Sequence, residues 1–287
     1  MIDPILVCPF DKKLLDKLKR RKVVIHTNDL NVLPHILKEV NKSIDLHALK
    51  IQTEKPLSTI VFEEKWATLP MVIYSTDFGE FKDLMPQLGK IRKSNVRIFL
   101  SPHREHNFTG LRILSSLQIS CGINFNGDPL NWSLMNDLMH YAIYGRAPHA
   151  PVEPFDWLVS HYHPADYTDY DFVYFNNPAK YLHINEKEQI ALTETDLLNG
   201  NLIDEGIGSL DNIEENRKYN DSLNFRYEIM LRMNECAFCS AFRICLAKFS
   251  SLPNKKDTCK VFFSDFLDAA DYYYSIKNSK GKHLWQL

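Results

Sequence analysis

Residues 71–100 read MVIYSTDFGEFKDLMPQLGKIRKSNVRIFL. Met71–Ser75 and Val96–Leu100 are short apolar runs that read as strands. Between them Phe81, Leu84, Leu88 and Ile91 share one face of a helix drawn over Phe78–Arg92. Strand, helix and strand in this order predict a βαβ unit, and with it a parallel sheet. The alternation continues outward. Towards the N-terminus it gives a strand at Val23–His26, a helix at Asn31–Val40 with Asn28 or Asp29 as its cap, and strands at Leu49–Gln52 and Leu57–Phe62. Towards the C-terminus it gives a helix core at Leu111–Leu117, a strand at Ile119–Phe125 and a helix at Trp132–Tyr144. The expected fold class over residues 22–145 is α/β, with the sheet either open or curled into a barrel.

Ahead of this region, Ile5-Leu6-Val7 is apolar, and Phe10, Leu14, Leu15 and Leu18 recur at helical spacing. Lys12, Lys13, Lys17, Lys19, Arg20, Arg21 and Lys22 line the other face, which reads as a solvated surface, with docking of an acidic partner as the alternative. Beyond the alternating region, Pro148, Pro151 and Pro154 mark a boundary. The aromatic stretch Phe155–Tyr181 carries His161, His163, Asp166, Asp169 and Asp171 and reads as a surface or interface rather than a metal site. Tyr181–Asn185 and Gln189–Thr193 form a hairpin pattern, Leu210–Asn216 a short helix and Tyr219–Met233 a longer one leading to Cys236. Val261–Tyr274 is a last amphipathic helix. The expected domains are 1–150, 151–180 as a linker, and 181–287.

Composition narrows the function classes. With 45% hydrophobic and 24% charged residues and a formal net charge of −2, the chain has no broad electrostatic basis for binding nucleic acid or membrane. Its 10 glycines form neither a dinucleotide-binding nor a P-loop signature. No apolar stretch is long enough to span a bilayer and no signal-peptide pattern opens the chain, so the expected location is the cytoplasm. Thiols stay reduced there, and clustered cysteines point to metal rather than to disulfides.

Such a cluster exists. Of 6 cysteines, four fall in one window: Cys236 and Cys239 as C-x2-C, Cys245 after five residues and Cys259 after thirteen more, with Cys8 and Cys121 isolated. Structural zinc modules commonly offer two short cysteine pairs, whereas a cubane iron–sulfur cluster accepts ligands at unequal spacing. Phe238, Phe242, Ile244, Leu246 and Phe249 are interleaved as an apolar shell. The spacing leans towards iron and sulfur and leaves zinc open.

The order of hairpin, glycine-containing segment, helix, C-x2-C-x5-C and distal cysteine resembles the SPASM domain of radical SAM enzymes that modify peptides. The resemblance implies one auxiliary four-iron four-sulfur cluster on Cys236, Cys239, Cys245 and Cys259. A second cluster of that family would need cysteines where this chain has Leu192 or Thr193, the Asn199-Gly200-Asn201 segment, and Phe249. The family's N-terminal partial (βα) barrel carries C-x3-C-x2-C, and this chain has no such trio. The resemblance is therefore to a degenerate, pseudo-radical-SAM type, with no S-adenosylmethionine cluster expected. It implies a degenerate barrel followed by a small α+β cluster-binding domain.

Three functions follow as expectations. The first is an accessory protein of ribosomal peptide maturation that binds a peptide or a partner enzyme and has no radical SAM activity of its own. The second is an electron-transfer subunit for a partner radical SAM enzyme, beside which a zinc-stapled binding protein stays open. The third is another kind of enzyme, for which His103, Arg104, Glu105 and His106 after a strand are acid–base candidates, weighed against an ordinary solvated loop.

Overall fold

The computed structural model describes residues 3–125, 131–221, 223–224, 236, 238–249 and 255–283. Its strands are β1 (Ile5–Pro9), β2 (Lys22–Thr27), β3 (Asp45–Thr53), β4 (Met71–Ser75), β5 (Val96–Leu100), β6 (Cys121–Ile123), β7 (Val152–Glu153), β8 (Tyr181–Ile184) and β9 (Ile190–Ala191). The α-helices are α1 (Lys12–Lys17), α2 (Leu33–Ser43), α3 (Phe81–Leu84), α4 (Leu88–Lys93), α5 (Glu105–Ser116), α6 (Trp132–Tyr144), α7 (Phe155–His161), α8 (Glu194–Asn199), α9 (Phe242–Cys245) and α10 (Lys255–His283). The fold class is α/β. No helix among the described residues is long and apolar enough to cross a membrane.

The chain forms two compact units, one of residues 1–100 with 171–227, the other of 101–170 with 228–287. The texture changes at 150 and 180 mark local shifts in composition, whereas the units are interleaved along the chain. The helix expected over Tyr219–Met233 falls mostly outside the described residues.

In the first unit the strand order is β5-β4-β3-β2-β1-β8-β9. β1 to β5 and β8 pair in parallel, and β9 runs antiparallel to β8 as the expected hairpin. Each strand from β1 to β5 lies beside its predecessor, so the order does not reverse between them. The hairpin extends this sheet through β1.

Parallel register assigns the two faces. Cys8, Ile25, Leu49 and Met71 are partners across β1–β4, as are Ile51, Ile73 and Ile98 across β3–β5. All are buried, and this apolar face makes one half of the core. The opposite face aligns Pro9, His26, Lys50 and Val72, then Gln52, Tyr74 and Phe99, with His183 beside Val7. This face thus carries charged and ring side chains near the carboxyl ends of its strands, whereas the polar groups at those ends of the apolar face are the buried hydroxyls of Thr27, Thr53 and Ser75.

Two expected elements differ. Leu57–Phe62 is no strand: after Pro56 the chain makes a 3-10 turn at Leu57–Thr59, with the amides of Leu57 and Ser58 donating to Asp77 and Phe78 carbonyls. Its Leu57, Ile60 and Phe62 are buried without a ladder. The helix drawn over Phe78–Arg92 is interrupted by a 3-10 turn at Met85–Gln87, because Pro86 lacks the amide that would continue it. The basic N-terminal surface has local acidic partners: Lys12 with Glu39, Lys17 with Glu188, Lys19 with Asp16, and Arg21 with Asp3 and Asp211. Lys13, Arg20 and Lys22 of the same face are exposed.

The second unit pairs β6 and β7 in parallel and packs α5, α6, α7 and α10 together. Asn131 caps α6, its Oδ1 accepting from the Leu134 amide at 3.2 Å. An aromatic core joins the elements: Phe155 packs edge-on to Phe266 at 5.5 Å, and Trp132 lies 5.3 Å from Phe262.

Candidate functional site

The cysteine window lies wholly in the second unit and begins as a knuckle of turns. The Cys239 amide donates to the Cys236 carbonyl at 3.0 Å, and the Phe242 amide to the Cys239 carbonyl at 3.0 Å. One turn of helix, α9, carries Cys245. Leu246 and Ala247 then take left-handed backbone conformations (φ 51° and 57°), which reverse the chain so that the Lys248 amide donates to the Cys245 carbonyl at 3.1 Å. Cys259 comes from the start of α10; as whole residues all four cysteines are half-buried, with the Cys245 thiol turned inward.

Cys245 is pushed up to about 12, first by burial, with Cys259 and Cys236 adding to the shift; the Phe249 amide and the Lys248 ammonium oppose it. Three of the four expected ligands are therefore electrostatic neighbours. Burial is the largest cause of this rise, as it is for the core thiol Cys8. The donor set fits a thiophilic metal or cluster in its chemistry. Among the described residues no three of His, Cys, Asp and Glu stand in metal-ligand geometry.

The shell around the knuckle is partly as expected. Phe242, Ile244, Leu246 and Phe249 are buried, but Phe238, between the paired cysteines, is 93% exposed and belongs to the surface. Phe249 contacts Phe125 at 5.8 Å, Trp132 at 5.4 Å and Phe263 at 5.5 Å. Where the resemblance would want a cysteine of a second cluster, this chain has a core aromatic. The other such positions are also structural. Leu192 is buried, Thr193 caps α8 by accepting from the Asp196 amide at 3.1 Å, and Gly200 closes α8 in a left-handed conformation (φ 75°).

Part of the aromatic stretch packs on the knuckle. Lys248 pairs with Asp169, its ammonium 3.8 Å from the Tyr170 ring centre, and the Thr168 amide donates to the Arg243 carbonyl at 2.9 Å. His161 and His163 are exposed; His161 stacks on Trp157 at 4.4 Å and His163 faces Asp166 at 3.2 Å. His103, Arg104, Glu105 and His106 are all exposed at the start of α5. Cys8 and Cys121 are core thiols, Cys8 pushed up to about 12 by burial and Cys121 also raised.

The first unit holds a polar cluster that the linear reading missed. Lys50 on β3, its side chain 5% exposed, donates to Glu194 Oε2 at 2.6 Å, and Glu194 is 36% exposed at the start of α8. The Lys50 ammonium lies 5.6 Å from the ring centre of Tyr74, which stacks on Phe99 at 5.0 Å. His183 is buried on β8; its Nε2 lies 3.1 Å from the Phe175 carbonyl oxygen and therefore carries the proton. Burial, reinforced by Lys50, takes His183 down to about 4 despite Glu194 and the Phe175 bond, so it is neutral. His26 is lowered by burial and then by Lys50, against Glu194, Asn28 and Gln52. Burial raises Glu194, but Lys50 outweighs it and the carboxyl stays below its ordinary value. The Tyr74 hydroxyl is raised by burial, and neither it nor His26 Nε2 has a hydrogen-bond partner among the described residues. The one local signal was a lysine inside the apolar run Ala48-Leu49-Lys50-Ile51.

Compared with protein-family models, curated proteins and solved structures, the chain gives no match.

Proposed function

We propose that this chain is a non-catalytic, accessory protein of peptide maturation, in which Cys236, Cys239, Cys245 and Cys259 hold one four-iron four-sulfur cluster. The observation that carries the reading is the gathering of these cysteines in one unit, with Cys245 under the electrostatic influence of Cys236 and Cys259. The unreversed order of β1–β5 supports kinship with a (βα) barrel, and the lack of a C-x3-C-x2-C trio argues against radical SAM chemistry in the chain itself. When bound, the cluster would supply the cross-link, and with it folding free energy, because its site does not exist in the unfolded chain. The residues themselves do the rest: Lys248 and the Phe249 amide favour ionised thiols, and the buried aromatics exclude water.

A second reading, electron transfer to a partner enzyme, is favoured by one feature. Cys236 and Cys239 are only half-buried and flank the exposed Phe238, so a cluster there would lie near the surface. Zinc in place of the cluster would keep the cross-link and remove the electron-transfer option.

Limited proteolysis of the anaerobically purified chain, before and after chelation, tests the role. Protection of residues 236–283 that is lost on chelation is expected. Equal cleavage in both states would contradict a structural role for the metal, and cleavage of S-adenosylmethionine by the isolated protein would contradict the accessory reading.

A further inference from the structure

We propose that Lys50, Tyr74 and His26 form a binding site for a ligand carboxylate, and that Glu194 occupies it as an internal surrogate until the ligand displaces it. The site lies near the carboxyl ends of β2, β3 and β4, on the sheet face that carries His26, Lys50 and Tyr74. Lys50 presents an ammonium with three donors, and Glu194 Oε2 takes one of them at 2.6 Å. The Tyr74 hydroxyl, on a residue only 4% exposed, and the buried His26 Nε2 have no hydrogen-bond partner among the described residues. Buried polar atoms are nearly always paired, so these two, one on the cross-strand partner of Lys50 and one on the ring 5.6 Å from its ammonium, mark where a ligand oxygen belongs.

Charge and geometry select the ligand. Glu194 already shows that a carboxylate fits over Lys50. Its side chain is 36% exposed against 5% for Lys50, so the surrogate sits on the solvent side and can leave without unpacking the sheet. A phosphate dianion would bring two charges to a single ammonium beside Glu194. A divalent cation would need His26, His183 and Glu194 to converge around a lysine, and no such trio stands in ligand geometry among the described residues. The carboxylate can come from a small organic acid or from the C-terminus of a peptide. The inference does not rest on the cysteine cluster, and failure to find iron leaves it intact.

Calorimetric titration of the full chain with acetate, with an N-acetylated tetra-alanine acid and with its C-terminal amide tests it. Glu194→Gln removes the competing charge at similar volume and should bind the acid about ten-fold more tightly than the unaltered chain, the worth of one charge-assisted hydrogen bond. Tyr74→Phe removes only an unpaired hydroxyl, so it should keep its melting temperature while binding about ten-fold more weakly. The amide should not bind. Binding of acetate and peptide acid alike supports the site with a small acid as ligand; binding of the peptide acid alone supports it with a chain terminus. No binding to folded Glu194→Gln, affinity indifferent to both variants, or uptake of one zinc ion that Glu194→Gln abolishes would overturn the proposal.

Discussion

Breaking the Lys50–Glu194 pair from either end should give unequal losses. Lys50 is 5% exposed and Glu194 36%, with 2.6 Å between Nζ and Oε2. Glu194→Ala strands a buried ammonium, for which full burial would imply a cost of about 3–5 kcal/mol. Partial exposure of the carboxylate side brings the expected loss to about 2–3 kcal/mol. Lys50→Met fills the buried slot with an apolar side chain of similar length and leaves Glu194 free to turn to water, so its loss should be about 1 kcal/mol. The double variant, with no charge left to strand, should sit near Lys50→Met alone rather than at the sum of the two. Urea unfolding followed by far-ultraviolet circular dichroism at pH 7.5 gives the midpoints, and unchanged slopes confirm that stability is what moved. Losses that simply add, or Lys50→Met costing more than Glu194→Ala, would refute a lysine desolvated and held by this carboxylate.

The same cluster sets a pH dependence. The folded-state value of His183 lies at about 4 against 6.5 for the free side chain, so the unfolded chain takes up the proton first and stability is lost as pH falls from about 6.5 to 4, by up to about 3 kcal/mol. His26, also lowered, adds to this loss, and the lowered Glu194 contributes its own as it protonates near the acid end. Unfolding midpoints across this window should slope less in His183→Gln, and an unchanged slope would contradict the assignment. Phe249→Ala removes a ring held by Phe125, Trp132 and Phe263 and should cost about 3–5 kcal/mol, read as a lower midpoint for protection of α6 and α10 in hydrogen exchange. Gly200→Ala forces a Cβ into a left-handed cap and should cost about 1 kcal/mol, with Gly200→Asn recovering much of it in the same melting assay.

Local signals were legible where one physical cause dominated. Met71–Ser75 and Val96–Leu100 are strands with the expected bounds, because continuous apolar runs suit a sheet covered on both faces. Trp132–Tyr144 is likewise as expected, with Asn131 capping one end and Gly145 following the other. Leu57–Phe62 misled because a short apolar run reports burial, and burial came without a strand partner. Pro86 was visible, yet the apolar stripe on both sides of it read as one helix. The four cysteines announced themselves by spacing alone. The cluster around Lys50 did not: Lys50 and Glu194 are separated by 144 positions in sequence, and only the parallel register of β2, β3 and β8 with the hairpin brings His26, Lys50, His183 and Glu194 together.

Metal analysis decides whether Cys236, Cys239, Cys245 and Cys259 hold a four-iron four-sulfur cluster. Anaerobically purified protein should contain about four irons and about four sulfides per chain, lost in Cys236→Ala and retained in Cys8→Ala. One zinc per chain without iron, or iron that survives Cys236→Ala, would contradict a cluster on these cysteines.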